Sequence, residues 1–293
     1  MKEETHLNHL VSLSHELLQE WCDGLLTHQI TDFQSPGLFG GIMSPAYARV
    51  EGRCGDAVYP LMFMAGKTGD QRYLDGAVRV IQWSENNVFF PDGSVVNDVS
   101  VSDWRGITVQ SAICLAEALN HYAYLLDAII RQRWIARLQL TAHYLHETVS
   151  IDFANINYPA CCSYAMVLLG HVLDEKKYTT RGRELAHQVL PYFTEKNKLL
   201  YGEGKPRHAK SPKGCLAMDI GYNVEESLPA LVLYALHQND DEVLDILLDS
   251  LKSHLHFMLP DGAWDNSMGI RNYKWTYWGT RNAEGCQPAY ALL

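Results

Sequence analysis

Hydrophobic and polar positions along the chain fall into two alternating kinds of segment, and the alternation predicts a succession of helical hairpins. One kind is apolar almost all round, and a helix of that kind must be buried on most sides. Residues 57–65, 107–121, 158–173 and 228–237 read this way and are predicted inner helices. The other kind repeats an apolar residue every three or four positions, the mark of an amphipathic outer helix. Residues 71–84, 126–147, 177–193 and 241–258 fit it, each following an inner segment. A further amphipathic helix over 6–26 carries Leu7, Leu10, Leu13, Leu17 and Leu18 on one stripe and is predicted to lie on the outside of the fold.

Prolines punctuate the inner segments. Pro60, Pro159, Pro229 and Pro288 each open an apolar run, and a proline fits the first turn of a helix, where its missing N–H has no partner to lose. Four residues before them stand Asp56, Asn155, Glu225 and Glu284. Ser227 is the predicted cap of the helix carrying Pro229, which puts Glu225 and Glu226 at its mouth. A polar group at one offset before each inner helix predicts a ring with functional groups collected on one rim. The loops PDGSVVND (from Pro91) and PDGAWDN (from Pro260) each follow an outer helix and predict a tight turn with a short strand. With no Pro-, Gly- or Ser-rich linker, residues 1–293 read as a single domain. PAYALL, Pro288 to Leu293, begins a fifth inner helix with no outer partner in sequence. The ring is therefore expected to be truncated there and to self-associate through that apolar end.

Composition narrows the function classes. A 47% hydrophobic, 11% aromatic chain of 293 residues buries a large core. The formal net charge of -10 argues against a nucleic-acid or anionic-membrane partner. No stretch reaches the roughly 18 apolar residues of a membrane span, and MKEETHLNHL lacks the apolar core of a secretion signal. Taken literally the protein is cytoplasmic, or periplasmic if a leader has been removed. Seven cysteines, mostly inside apolar runs, read as reduced packing residues. The CxxC, HExxH, EF-hand, GxSxG, P-loop and dinucleotide patterns are all missing, so neither metal nor cofactor is expected.

TGDQRYL between the first two helices, the repeated PDG loops and the aromatic-rich returns resemble the six-hairpin glycosidase superfamily. That resemblance implies an all-α fold: an (α/α) toroid of helical hairpins, here an incomplete six-hairpin barrel, with short β-hairpin loops. It also implies a carbohydrate-active enzyme whose saccharide substrate sits on the rim where the inner helices begin.

Glycoside hydrolysis needs a proton donor and a second carboxylate. Glu225, Glu226, Asp103 and Tyr222 are the candidate catalytic groups, although two carboxylates at a helix start are also what the helix dipole favours. Asp56 and Asp219 are candidate substrate contacts. In DWRG, Trp104 offers a face for a sugar ring, and Asp103 and Arg105 suit hydroxyls. FANINYP offers Asn155, Asn157 and Tyr158. In toroidal polysaccharide lyases an asparagine or arginine neutralises the uronate carboxylate while a tyrosine or histidine moves protons, and this stretch looks similar. In RNYKWTYWGTR, Trp275, Trp278 and Arg281 are predicted to stack on sugar and hold an acid group. The basic loop GEGKPRHAKSPKG, with its lone His208, reads as a lid or as a solvated excursion. The leading expectation is a glycoside hydrolase. The alternatives are β-elimination on a uronate, with Asn157 neutralising and Tyr158 or Tyr222 moving the proton, and a non-catalytic saccharide-binding or scaffold protein.

Overall fold

The structure, a computed structural model, describes residues 2–44, 48–97, 103–262, 264–265, 269–270 and 288–293. It divides into two compact units, Met1–Thr141 and Ala142–Leu293, each described by itself.

The first unit contains α1 (Lys2–Thr27), a two-stranded antiparallel ribbon of β1 (Met43–Ser44) and β2 (Arg49–Val50), a 3-10 turn at Gly52–Ala57, α2 (Val58–Thr68), α3 (Gln71–Asn87), α4 (Thr108–Tyr122) and the start of α5 (Ala128–Thr148). TGD makes the first hairpin turn. Gly69 takes φ 71°, and its N–H closes α2 on the Ala65 carbonyl, while the Asp70 side chain caps α3 by accepting from the Arg72 N–H. α2 packs between α3 and α4, burying Leu61, Met62 and Met64. The sequence boundaries of α2 to α5 hold to within about three residues, and α1 begins four residues before its expected start.

α1 departs from expectation. An outer amphipathic helix would turn its leucines inward, yet Leu7 is 62% exposed and Leu10, Leu13 and Leu17 are also exposed. The helix is held at its C-terminal end instead, where Cys22 is buried and the Tyr73 hydroxyl donates to Asp23 at 2.8 Å.

The first PDG loop is the predicted tight turn. Gly93 has φ 93° and its N–H bonds the Phe90 carbonyl at 3.0 Å, with one bridge between Phe89 and Val95. A Cβ at Gly93 would lie 2.1 Å from the Leu140 carbonyl oxygen. Gly93→Ala therefore combines a left-handed φ with a backbone clash and should lower unfolding free energy by about 2–4 kcal/mol, read from the midpoint of urea unfolding.

The second unit contains α6 (Asn157–Val172), α7 (Lys176–Val189), α8 (Ile220–Tyr222), a π-helical turn (Asn223–Ser227), α9 (Leu228–Gln238), α10 (Asp241–His254) and α11 (Pro288–Leu292). α6 is buried at every position from Asn157 to Gly170. α7 lies against it at close range because Gly182 has no side chain; a Cβ there would meet the Ser163 carbonyl at 2.6 Å. α9 packs on α6, α10 and α11. PAYALL is packed in part: Ala289 is buried, the Tyr290 hydroxyl donates to the Leu251 carbonyl at 2.9 Å and its ring stacks with Trp264, while Pro288, Ala291, Leu292 and Leu293 are exposed. The second PDG loop repeats the first, with Gly262 at φ 88° and a Met258–Trp264 bridge. Among the described residues no helix is long and apolar enough to cross a membrane.

Candidate functional site

Pro60 and Pro159 occupy the first turns of α2 and α6, as expected, but Pro229 does not begin its helix. α8, the π turn and α9 run on without a break, and the cap is Asp219, not Ser227: its carboxylate accepts from the Tyr222 N–H at 3.1 Å. In a plain α-helix the Pro229 ring would collide with the Glu225 carbonyl four residues back. Widening the preceding turn is how the chain passes through the proline. Glu225 and Glu226 consequently sit half-buried inside a π bulge rather than in a loop at a helix mouth.

The bulge meets the start of α6. Asn157, 1% exposed, donates from Nδ2 to Glu226 Oε2 at 2.7 Å, and the Cys161 thiol donates to the Glu226 carbonyl at 3.5 Å. The Asn157 N–H donates to Oε1 of buried Glu203 at 3.2 Å. Two carboxylates thus clasp the N-terminus of α6, where the helix dipole favours negative charge. Asn157 Oδ1 is buried and has no hydrogen-bond partner among the described residues. Tyr158 follows, its ring edge-on to Phe153 with centroids 6.2 Å apart, its N–H bonded to the carbonyl of half-buried Asn155.

Asn157 and Glu226 are therefore together, with Tyr158 next to Asn157 on the first turn of α6, whereas two other candidates have structural surroundings. Asp219 is fully buried as a cap, with Gly269 pressed against its carboxylate, so the substrate contact expected of it is replaced by a helix-start contact. Tyr222 is 3% exposed in an apolar cluster with Ile220, Val224 and Trp264, which packs it as core. Glu203 was missed: a lone acid between glycines in a basic loop gives no periodic signal.

In the first unit, Asp56 accepts from the Ser111 hydroxyl at 3.2 Å, Asp103 is exposed, and Trp104 is 41% exposed. Arg105 does not stand free for hydroxyls: it pairs with Asp92 at 3.1 Å, bonds Ser94 Oγ and lies 4.3 Å over the Phe90 ring, fastening the PDG loop. Trp275, Trp278 and Arg281, with Glu284, lie outside the described residues. Among the described residues no three His, Cys, Asp or Glu side chains converge as metal ligands.

His254 buttresses the bulge from below. It is fully buried, its Nδ1 donates to the Ser250 carbonyl at 2.8 Å, and its Nε2 accepts from Asn223 Nδ2 at 3.0 Å, a pairing that needs the neutral ring. Burial pushes this imidazole down to about 4. Between the unfolded value near 6.5 and that value, the unfolded chain binds a proton the native state refuses, so stability falls as pH falls through this window. The expected loss is up to about 3 kcal/mol by the bottom of the window. Urea midpoints near neutral pH and near pH 4 would show it, and His254→Gln should flatten that part of the profile.

With this geometry in view, comparison with known proteins is decisive for the family. The family profile described as "Ulvan lyase N-terminal domain" matches residues 18–293. The chain belongs to the ulvan lyase N-terminal domain family. A broad-specificity ulvan lyase from Formosa agariphila is 44% identical over 283 residues, covering 96% of this chain. This ulvan lyase N-terminal domain chain spans 44% of that relative's length. Among solved structures, a sugar epimerase from a ruminal bacterium is similar at TM-score 0.60 and 11% identity, over 83% of this chain and 70% of its own. A polysaccharide lyase matches at TM-score 0.60 and 11% identity, over 84% of this chain and 36% of its own. A glycosyl hydrolase family 88 protein from Bacteroides vulgatus matches at TM-score 0.53 and 15% identity, over 84% of this chain and 70% of its own. At these identities the structures speak to fold alone, and they show the all-α, (α/α)-toroid class expected from the hairpin pattern. Between the two enzymatic expectations, family and relative back the lyase alternative over the glycoside hydrolase.

Proposed function

We propose that the chain is the helical part of a polysaccharide lyase that cleaves a uronate-containing polysaccharide by β-elimination. The observation that carries this reading is the 44% identity to a broad-specificity ulvan lyase across 96% of the chain. The meeting of Asn157 with the π bulge, with Tyr158 next to it in sequence, supports it. In such an elimination a base takes the proton from C5 of the uronate, the C4–O bond breaks, a C4=C5 double bond forms, and the departing oxygen is protonated. No water is consumed. The carboxylate on C5 must be neutralised for its neighbouring proton to become acidic.

Asn157 is the neutralising group in this reading, held in one orientation by Glu226 through Nδ2 and by Glu203 through its backbone N–H. Tyr158, beside it on the first turn of α6, is the group that moves the proton; Tyr222 is packed away in the apolar cluster. Glu226 acts as a positioning residue. Glu226→Gln keeps an acceptor for Asn157 but removes charge, and should change KM more than kcat. Turnover in heavy-oxygen water, read before the reducing end exchanges with solvent, tests the reaction class: elimination puts no solvent oxygen on the carbohydrate products, and hydrolysis would put it on the new reducing end.

A further inference from the structure

The loop from Gly202 to Ala217 carries Lys205, Arg207, His208, Lys210 and Lys213, and its one acid is the buried Glu203. That concentration of cationic groups stands in a chain of formal net charge -10. The loop is folded, not a loose excursion. Its ends close through Gly202 N–H to the Ala217 carbonyl at 2.7 Å, and its tip through Ser211 N–H to the Cys215 carbonyl at 2.8 Å. Its flank is stapled to the segment before α6: Lys205 Nζ donates to the Asp152 carbonyl at 2.8 Å, and Arg207 donates to the Ala154 carbonyl.

Two features of this loop point to an anionic ligand. Arg207 is 5% exposed, its nearest carboxylate is Asp152 at 3.8 Å, and its Nε and Nη1 have no hydrogen-bond acceptor among the described residues. A buried guanidinium this thinly matched is costly on its own. Lys210 and Lys213 are exposed, and among the described residues neither joins an ion pair, whereas Lys177 pairs with Glu175 and Arg181 with Glu184. Uncompensated cations on one loop set up a local positive potential. The same loop carries a ring surface: exposed His208 stacks on Tyr192 with centroids 5.3 Å apart and meets the Tyr201 hydroxyl at 3.2 Å. Cations next to an aromatic platform suit a charged sugar better than a simple ion.

We propose that this loop is an anion subsite for the polysaccharide, binding the carboxylate or sulfate ester of a sugar unit beside the one that is cleaved. Lys210 and Lys213 supply the charge and His208 on Tyr192 the stacking face. The loop borders the elimination site through Glu203, which holds the Asn157 N–H, so occupancy of the subsite orients the chain entering that site. The inference rests on the lyase reading for its substrate class.

The test is Lys210→Gln/Lys213→Gln in the full chain, with binding measured by calorimetry and turnover measured separately. The probes are a uronate oligosaccharide, its carboxyl-reduced neutral counterpart and a sulfated neutral oligosaccharide. The double variant should keep the wild-type Tm and bind at least one anionic probe roughly 3- to 10-fold more weakly at low salt, as expected for two exposed charge contacts. The difference should shrink at high salt, and binding of the neutral probe should be unchanged. Which anionic probe loses affinity names the substituent. Unchanged binding of both anions, or an equal loss for the neutral probe, would overturn the subsite. Wild-type turnover without an unsaturated product would instead overturn the lyase reading while the binding arms still judge the subsite.

Discussion

Tyr158→Phe should lower kcat on a uronate polysaccharide by about 10²- to 10⁴-fold, the range for losing a group that moves a proton in the transition state. The substitution removes one oxygen and keeps the ring against Phe153. Folding should hardly change, and KM should move little, because the hydroxyl acts on the proton and not on the sugar. Tyr222→Phe is the contrast, since that ring belongs to the cluster with Ile220, Val224 and Trp264. Measured side by side, a large kcat loss at Tyr158 with a small one at Tyr222 supports the assignment. The reverse order would move the proton-transfer role to the π-bulge helix.

Arg137→Met should cost about 3–5 kcal/mol of stability, because three hydrogen bonds from a charged donor are lost, each contributing about 1.5–3 kcal/mol, and the methionine stem regains part of the packing. The guanidinium is 8% exposed, donates to the carbonyls of Phe90, Gly93 and Ser94 at 2.7, 2.9 and 2.7 Å, and lies 4.1 Å over the Phe89 ring. Burial pushes it down to about 10, still far above neutral pH, so it remains charged and holds the loop throughout. Methionine fills the space of the stem but removes three charge-assisted donors; Phe90, Gly93 and Ser94 then keep the Gly93 N–H, the Thr141 hydroxyl and the Phe90 N–H on their carbonyls. Urea unfolding of the two proteins would measure the difference. A loss below about 1 kcal/mol would mean the turn stands by its own backbone geometry.

Both cases show what the sequence could tell and what it could not. The hairpins were legible because burial all round and burial on one stripe leave different periodicities, so α2 to α7, α9 and α10 appear with nearly their observed ends. TGD and PDG were legible because glycine and aspartate at those places answer backbone demands that few other residues meet. Arg137 was not legible, since nothing local distinguishes an arginine that reaches the carbonyls of Phe90, Gly93 and Ser94 from one in solvent. The π bulge was illegible for a related reason: Pro229 signals a helix start by local rules, and only the continuation of α8 into α9 shows a widened turn. The α1 leucines mark the limit of periodicity, which gives the stripe but not what covers it.

At the site, FANINYP pointed to Asn157 and Tyr158, and VEESLP to Glu226, from opposite parts of the second unit; their meeting at 2.7 Å is a tertiary fact. Glu203 and His254 were invisible because their partners, the Asn157 N–H and Asn223, are brought to them only by folding.

The most direct measurement of the central claim is ultraviolet absorbance during incubation of the full chain with a uronate polysaccharide. Elimination creates a C4=C5 double bond conjugated with the carboxylate, so absorbance should rise in step with new reducing ends and should fall sharply in Tyr158→Phe. New reducing ends without any rise in absorbance would mean hydrolysis and would contradict the account.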